Sequence, residues 1–384
     1  MILRLIEQTL KLDLFQGKVV IVSGPRQVGK TTLMEGLRRS IPEKSLWLNC
    51  DEPDIRFLLE QVTSTQLREL IGDYRLVFID EAQRVKNIGL TLKLLADNLK
   101  DVQVIATGSS AFELADKINE PLTGRKRAYS LFPLSTEEMV QHTSILEEGR
   151  LLERRLIYGF YPEVIRHPAA AERTLLEISD NYLYKDLLAL ETIRKPAFLD
   201  KIITALALQI GHEVSFTELA QLTGADHKTV EHYVRMLEQC YVIFTLGTFS
   251  RNLRNEIRKS RKIYFYDNGI RNAIIKNFNP LALRQDSGAL WENYLMSERK
   301  KTLAYNNRMA NTYFWRTHAQ QEIDYIEEAG GALSAYEFKW SRNTRVKLPE
   351  AFRKAYPETK FSVIDRSNYL SFVCSSAASK SEPA

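Results

Sequence analysis

Cysteine is scarce in this sequence of 384 residues. Cys50, Cys240 and Cys374 stand far apart without a CxxC pair, so neither a disulfide framework nor a structural zinc site is indicated. No stretch reaches the roughly 18 uninterrupted apolar residues of a membrane span. Charged residues interrupt the apolar ones within residues 1–7, whereas a secretory signal has a continuous apolar core. These absences predict a soluble protein of the reducing cytoplasm.

The chain length and the net charge indicate the number of domains and the kind of partner. A chain this long predicts two or three domains of roughly 100 to 200 residues each. The formal net charge is +5, and the basic excess is heaviest at residues 251–262 and 299–316. Such segments suggest a polyanionic partner, although a solvated surface also carries a mild basic excess.

Four short apolar runs in the first third of the chain have the character of buried strands. They cover residues 19–22, 45–48, 76–79 and 102–106. Helical patterns, such as those at 32–40 and 90–99, separate them. Strands that alternate with helices predict an α/β fold with a parallel sheet and helices on both faces, here over residues 1–135.

The rest of the chain changes character twice. Helical patterns at 145–158 and 171–190 predict a helical lid or connector over residues 136–200. A helix at 216–222, a turn at Gly224, a helix at 228–239 and a strand at 241–246 predict a winged helix-turn-helix over residues 201–280. A further α/β domain follows at 281–374, and residues 375–384, rich in Ser and Ala, predict a disordered tail.

The segment 24–31 has the pattern G-x-x-x-x-G-K-[ST] between an apolar strand and a helix, which predicts a phosphate-binding loop for ATP. Lys30 is expected to contact the β and γ phosphates, and Thr31 to bind Mg²⁺ through its hydroxyl. The nucleotide-binding residues predicted here are Gly24, Pro25, Arg26, Gln27, Val28, Gly29, Lys30, Thr31 and Thr32.

Two later strands end in residues that complete such a site. Asp80 and Glu81 end the third apolar run, where Asp80 can hold Mg²⁺ and Glu81 can orient the attacking water. Thr107 or Ser109, at the end of the fourth run, can sense the γ phosphate, or these hydroxyls only cap the next helix. Arg125 can supply a cation to the transition state, either in its own subunit or to a neighbouring subunit of a homo-oligomer. The alternative is that Arg125 belongs to a solvated basic turn.

These motifs resemble a family of bacterial and archaeal AAA-type P-loop ATPases that continue into a C-terminal DUF4143 region. The family motifs G-P-R-Q-x-G-K-[ST], D-E-x-Q and T-G-S-S are matched at residues 24–31, 80–83 and 107–110. Gly124 and Arg125, followed by residues 131–134, match its G-R pair and Leu-x-Pro-Leu segment. The resemblance covers nearly the whole chain and implies a nucleotide-binding fold.

The predicted recognition helix carries Lys228, Thr229, His232 and Arg235 on its polar side, with Val230, Val234 and Leu237 facing inward. The hairpin after it adds a set of cations suited to phosphate contacts. They are Arg251, Arg254, Arg258, Lys259, Arg261 and Lys262. DNA is the predicted partner, although winged helices also serve as protein docking modules.

Glu292 on a helix, Asp324 in a strand and Glu337 and Lys339 at the end of the next strand form a second chemical constellation. Because alternate residues of a strand share a face, these carboxylates and the ammonium are expected to converge, with Asp324 and Glu337 holding Mg²⁺. The arrangement resembles the PD-(D/E)XK nuclease superfamily, although Ile323 stands where the family has a proline. An active nuclease and a fold kept for structure, with salt bridges among these side chains, both fit the pattern.

The sequence thus predicts an ATP-hydrolysing AAA-type protein that couples its nucleotide state to a DNA-associated winged helix and a nuclease-like domain. A nucleotide-regulated scaffold or transcriptional regulator with an inactive nuclease-like domain is the alternative.

Overall fold

The computed structural model describes residues 2–108, 122–189, 196–250, 261–317, 320–342 and 344–375. The chain divides into two units, Met1–Leu134 with Gln239–Tyr241, and Ser135–Glu238 with Val242–Ala384. The segments expected to form a connector, a winged helix and a C-terminal domain fall in the second unit, except for residues 239–241 of the expected winged helix, which belong to the first. Within the described residues, no helix is both long enough and apolar enough to cross a membrane.

A parallel sheet of five strands forms the centre of the first unit. The strands are β1 (Val19–Ser23), β2 (Ser45–Asn49), β3 (Leu76–Asp80), β4 (Gln103–Gly108) and β5 (Lys126–Ser130), in the order β2-β3-β4-β1-β5. Every residue of β3 and β4 is buried. Both faces of the sheet are therefore covered, as parallel sheets require, and the predicted parallel α/β fold is confirmed.

Among the described residues of the first unit, five helices accompany these strands. They are α1 (Ile6–Leu12), α2 (Lys30–Ser40), α3 (Pro53–Leu59), α4 (Ser64–Ile71) and α5 (Ile88–Asn98). Val77 and Ile79 of β3 share a core cluster with Leu67 of α4 and with Leu92 and Leu95 of α5. Because alternate strand residues point to one face, α4 and α5 lie on the same side of the sheet.

The second unit begins with a run of helices. They are α6 (Thr136–His142), α7 (Ile145–Arg150), α8 (Leu152–Tyr158), α9 (Pro162–Arg166), α10 (Ala171–Ala189) and α11 (Pro196–Leu208). The helix predicted over 145–158 is in fact two helices that meet at Leu151.

The remaining helices of the second unit are α12 (Phe216–Thr223), α13 (His227–Gln239), α14 (Asn268–Ile274), α15 (Ser287–Tyr305), α16 (Glu350–Ala355) and α17 (Tyr369–Val373). Gly224, in the left-handed region with φ of +74°, ends α12 and allows the tight turn before α13. Of the predicted disordered tail, Ser375 is described, and its hydroxyl donates to Glu137 at 2.8 Å. Residues 376–384 lie outside the described residues.

Seven strands form one mixed sheet in the second unit. They are β6 (Glu213–Val214), β7 (Ile243–Thr248), β8 (Arg261–Phe265), β9 (Asn311–Arg316), β10 (Glu322–Ala329), β11 (Ala332–Phe338) and β12 (Lys360–Ile364). Their order is β12-β11-β10-β9-β7-β8-β6. The parallel pairing of β7 with β9 joins the strands of the expected winged helix to those of the expected C-terminal domain. The two segments therefore share one sheet.

Candidate functional site

The loop between β1 and α2 is shaped by two glycines. A Cβ at Gly24 would come within 2.0 Å of the Leu131 carbonyl oxygen, and Gly29 has φ of +93°, so each position favours glycine. Lys30 opens α2 and is buried, and its Nζ donates to the carbonyls of Gly24 at 2.9 Å and Pro25 at 2.8 Å. The ammonium thus lies against the loop at the positive end of α2, a position suited to bind phosphate.

The other predicted loop residues differ in exposure. Pro25 and Val28 are buried, Arg26 is half-buried, and Gln27 and Thr32 are exposed. Gln27 also has a positive φ of 60°, which turns the loop without a glycine at that position.

The ends of α2 and β3 meet through Thr31 and Asp80. Thr31 Oγ1 donates to Asp80 Oδ2 at 2.9 Å, and Asp80 is only 6% exposed. A hydroxyl and a carboxylate oxygen are hard ligands of the kind that Mg²⁺ accepts beside phosphate oxygens. These two side chains therefore fit a magnesium ion at the end of the phosphate loop.

Thr107, at the end of β4, connects Asp80 with the backbone of Glu81. Its hydroxyl donates to Asp80 Oδ1 and accepts the backbone N–H of Glu81 at 3.1 Å. Glu81 has φ of +52° and ψ of +42°, a conformation that costs a non-glycine residue on the order of 1–3 kcal/mol. Gln83 Nε2 donates to Glu81 Oε2 at 2.5 Å, which orients the carboxylate. Ser109 lies outside the described residues, so a sensor role for it stays a prediction.

Arg4 is a site residue that the sequence patterns did not reveal. It is 7% exposed, and its guanidinium donates through Nη1 to the Val28 carbonyl and through Nη2 to the Phe132 carbonyl, both at 2.7 Å. It thereby ties the phosphate loop to the segment after β5. A lone arginine in an amphipathic N-terminal segment carries no motif by which to find it.

Arg125 lies at the end of β1 opposite the phosphate loop. The residue immediately precedes β5, and its carbonyl accepts the N–H of Val19, the first residue of β1. The phosphate loop follows the other end of β1, roughly 16 Å away at about 3.3 Å per residue. Arg125 instead pairs with Asp97 at 2.5 Å. This position does not bring Arg125 to the phosphate loop of its own chain, and a catalytic role for Arg125, in cis or in trans, stays a prediction.

Carboxylates gather at the ends of β10 and β11 in the second unit. The Phe338 backbone N–H donates to Asp324 Oδ2 at 2.8 Å, and Lys339 Nζ pairs with Glu337 Oε1 at 2.7 Å. The pairing of β10 with β9 shifts register by one residue between Ile323 and Ile326, the stretch that contains Asp324 and Tyr325. Register shifts of this kind redirect a side chain and are common beside functional sites.

Lys262 of β8 lies inside this cluster and was wrongly predicted on a DNA-facing wing. Its side chain is 2% exposed, and its Nζ lies 2.6 Å from Glu322 Oε1, 3.0 Å from Glu292 Oε1 and 4.0 Å from Asp324 Oδ1. The prediction failed because a lysine at the end of a polar hairpin looks solvent-exposed in sequence, whereas its carboxylate partners come from distant segments.

The cluster alters the acidity of its members. Burial and the nearby Glu292 raise the pKa of Asp324 to about 6, against the opposing charge of Lys262. Burial and Asp324 raise the pKa of Glu337. Burial lowers the pKa of Lys262, but its carboxylate neighbours outweigh it, so the net shift is upward and Lys262 carries its charge.

A divalent metal does not fit this cluster as it stands. Lys262 already bonds one oxygen of Glu292 and one of Glu322, Asp324 faces the same ammonium at 4.0 Å, and Glu337, the other predicted metal ligand, is paired with Lys339. No three His, Cys, Asp or Glu side chains among the described residues are arranged to hold a metal ion.

The helix pair α12 and α13 precedes the antiparallel strands β7 and β8, with β6 pairing on the other side of β8. On α13, Lys228, His232 and Arg235 are exposed, and Thr229 bonds Asp226 at the start of the helix. Arg261 lies 4.4 Å from the centre of the Phe216 ring rather than in open solvent. Arg251, Arg254, Arg258 and Lys259 lie outside the described residues.

Comparison with known proteins gives the class of the first unit. Residues 16–140 match a family described as AAA domain, and two domains of unknown function, DUF8612 and DUF4143, match residues 149–281 and 287–376. The chain therefore carries an AAA-type P-loop ATPase domain followed by these two regions. A domain of this class implies nucleotide binding, typically of Mg-ATP.

The whole chain also has relatives. It is 27% identical over 353 residues to uncharacterized proteins of Mycobacterium tuberculosis and Mycobacterium bovis, which covers 90% of this chain and 75% of each relative. A Walker-type ATPase of Pyrococcus abyssi is a looser structural match, with a TM-score of 0.48, 16% identity and coverage of 70% of this chain and 94% of that one.

Proposed function

We propose that this protein is a Mg²⁺-dependent ATPase whose nucleotide site lies at the carboxyl ends of β1, β3 and β4. The observation that carries the proposal is the 2.9 Å contact between Thr31 and Asp80 beside the phosphate loop. These two side chains would hold Mg²⁺, which supplies charge neutralisation at the phosphates when bound.

In this proposal, Lys30 exchanges its bonds to the Gly24 and Pro25 carbonyls for the β and γ phosphate oxygens. Glu81 accepts a proton from, and orients, the attacking water. Gln83 holds the Glu81 carboxylate in place, and Thr107 fixes the Glu81 backbone. Each role uses a side chain that is already oriented by a neighbour.

Lys30→Ala tests the nucleotide site directly. We expect ATP affinity, measured by equilibrium titration with a fluorescent ATP analogue, to fall by on the order of 100-fold, because the main positive charge at the phosphates is lost. Lys100→Ala, an exposed lysine of the same unit, is the matched control and should bind as wild type does. Unchanged binding by Lys30→Ala would refute the phosphate-loop assignment.

We further propose that the second unit consists of a helical connector (136–200), a winged helix (201–280) and a nuclease-like segment (281–374), and that the winged helix associates with DNA. The helix pair followed by β7 and β8, and the exposed Lys228 and Arg235 on α13, support this assignment. Neutralising Arg254, Arg258 and Arg261 should weaken duplex binding and reduce its salt dependence. Salt-independent binding, or none at all, would count for a protein-docking role.

A nucleotide-regulated scaffold with an inactive nuclease-like segment is the second candidate. The placement of Lys262 among the carboxylates favours it over an active nuclease. Incubation with single-stranded, duplex and supercoiled DNA, with Mg²⁺ or Mn²⁺ and with or without ATP, separates the two. Cleavage that is lost in Asp324→Ala would establish the nuclease, whereas no cleavage supports the scaffold.

A further inference from the structure

Lys262 links three elements of the second unit through one buried ammonium group. It extends from β8 to Glu292 of α15 at 3.0 Å and to Glu322 of β10 at 2.6 Å. Tyr264, two residues along β8, donates its hydroxyl to the same Glu292 oxygen at 2.6 Å. Glu292 Oε1 therefore accepts two hydrogen bonds from side chains of the chain itself.

The ammonium and a divalent cation would compete for the same oxygens. A magnesium or manganese ion in a carboxylate site binds oxygens at about 2.0–2.2 Å. Lys262 Nζ lies between Glu292 and Glu322 and also faces Asp324 at 4.0 Å. A second cation within a few ångströms would meet strong repulsion in this buried setting, because nearby charges interact strongly where water is excluded.

Removing that ammonium would deprive Glu292 and Glu322 of their closest cation. Buried carboxylates are tolerated when they are paired, and loss of one partner exposes the others to an unfavourable environment. Lys339 is paired with Glu337 at 2.7 Å, and Arg316 approaches Glu322 at 3.9 Å, so both lie farther from Glu292 and Glu322 or are engaged elsewhere, and Lys262 makes the closest contacts to these two carboxylates.

We propose that Lys262 is the resident cation of the Glu292, Glu322 and Asp324 cluster, and that its ammonium excludes divalent metal from this site. The cluster then acts as an ion-paired joint between β8, α15 and β10 rather than as a metal centre. This inference does not depend on ATP hydrolysis, so its failure would leave the proposed ATPase untouched and would favour the nuclease instead.

Manganese binding to the full-length, nucleotide-free protein tests the proposal. Free Mn²⁺ is measured by electron paramagnetic resonance during titration. All proteins carry Asp80→Ala, which removes the metal ligand proposed at the nucleotide site. Into this background are placed Lys262→Met, which keeps the length of the side chain but not its charge, and Lys347→Met, an exposed lysine of the same unit, as the matched control.

The background protein and the Lys347→Met control should bind no Mn²⁺ that depends on Glu292. Lys262→Met should gain one site with affinity at least about tenfold tighter than any background site, because the carboxylates lose their counter-ion. Adding Glu292→Gln to Lys262→Met should abolish that site.

Two results would overturn the proposal. One is a Mn²⁺ site in the background protein that disappears with Glu292→Gln, which would mean that metal and Lys262 coexist. The other is a folded Lys262→Met protein that gains no site. If Lys262→Met does not fold, the background protein is compared with and without Glu292→Gln. Equal Mn²⁺ binding by the two proteins supports the proposal, and a Mn²⁺ site lost with Glu292→Gln overturns it.

Discussion

Thr31 and Asp80 lie 49 residues apart in the sequence and are joined by a hydrogen bond of 2.9 Å. The contact links the first turn of α2 to the last residue of β3. It exists because the parallel register of β1, β4 and β3 brings the carboxyl ends of the strands to one edge of the sheet. A hydroxyl and a carboxylate are thereby positioned together before any ligand arrives.

The Thr31 hydroxyl should be essential for turnover. Thr31→Ala is expected to lower the rate of ATP hydrolysis by on the order of 100-fold, because one magnesium ligand is lost where charge develops. Thr31→Ser keeps the hydroxyl and should retain most of the activity. Steady-state phosphate release at saturating Mg-ATP measures both, and equal rates for Thr31→Ala and Thr31→Ser would contradict the assignment.

Arg4 should act as a positioning residue. Without its bonds to the Val28 and Phe132 carbonyls, the phosphate loop loses a fixed support, so Arg4→Ala should raise KM for ATP by about tenfold with a smaller effect on kcat. Arg4→Lys retains a donor for one of the carbonyls and should fall between Arg4→Ala and wild type. A loss of thermal stability with unchanged KM would instead assign Arg4 a purely structural role.

We expect the catalytic role of Arg125 to be exerted across a subunit boundary. Arg125→Ala and Glu81→Gln should each be inactive alone, and mixing the two should restore part of the ATPase activity. The mixed oligomer contains sites with an intact Glu81 and an intact neighbouring Arg125. Full activity of Arg125→Ala alone would show that Arg125 only pairs with Asp97.

The Asp286 carboxylate should contribute to stability in a pH-dependent manner. It lies 2.5 Å from Arg271 Nη1 and 2.8 Å from Arg284 Nε. Burial opposes ionisation, but hydrogen bonds from Arg284 and Arg271 outweigh it and lower the pKa of Asp286 to about 2. Because the folded-state pKa lies below the unfolded value, this stabilisation is complete above about pH 4 and is lost as pH falls towards 2.

Asp286→Asn should therefore lower the free energy of unfolding at pH 7 by about 3 kcal/mol, since it leaves two buried guanidinium groups without their counter-ion. Denaturant unfolding at pH 7 and at low pH measures the effect, and the difference between wild type and variant should shrink below about pH 4. Asp101→Asn, at an exposed position, is the control. An equal loss at both pH values would rule out the ion pair as the cause.

The strands β1 to β4 of the first unit were predictable because each of these four is a short apolar run between turn signals. The run at 76–79 became β3 (Leu76–Asp80), and the run at 19–22 became β1 (Val19–Ser23). The strand β5 was missed because Lys126 and Arg127 made its sequence resemble a basic turn. As an edge strand it is partly exposed, so it needs no apolar run.

The nucleotide site was predictable to the extent that it rests on local motifs. The sequence also predicted the parallel order of helix and strand that brings those motifs together. Arg4 and Lys262 were missed or misassigned because their partners come from distant segments, Phe132 for the first and Glu322 for the second. Buried polar contacts of long sequence separation leave no periodic signal in the residues around them.

Hydrolysis of ATP by Glu81→Gln tests the central claim most directly. The amide keeps the shape of the side chain but cannot accept a proton from water. We predict that the variant binds ATP within about threefold of wild type and turns it over at least on the order of 100-fold more slowly, while Glu69→Gln at an exposed position behaves as wild type. Turnover by Glu81→Gln at the wild-type rate would contradict the proposed site.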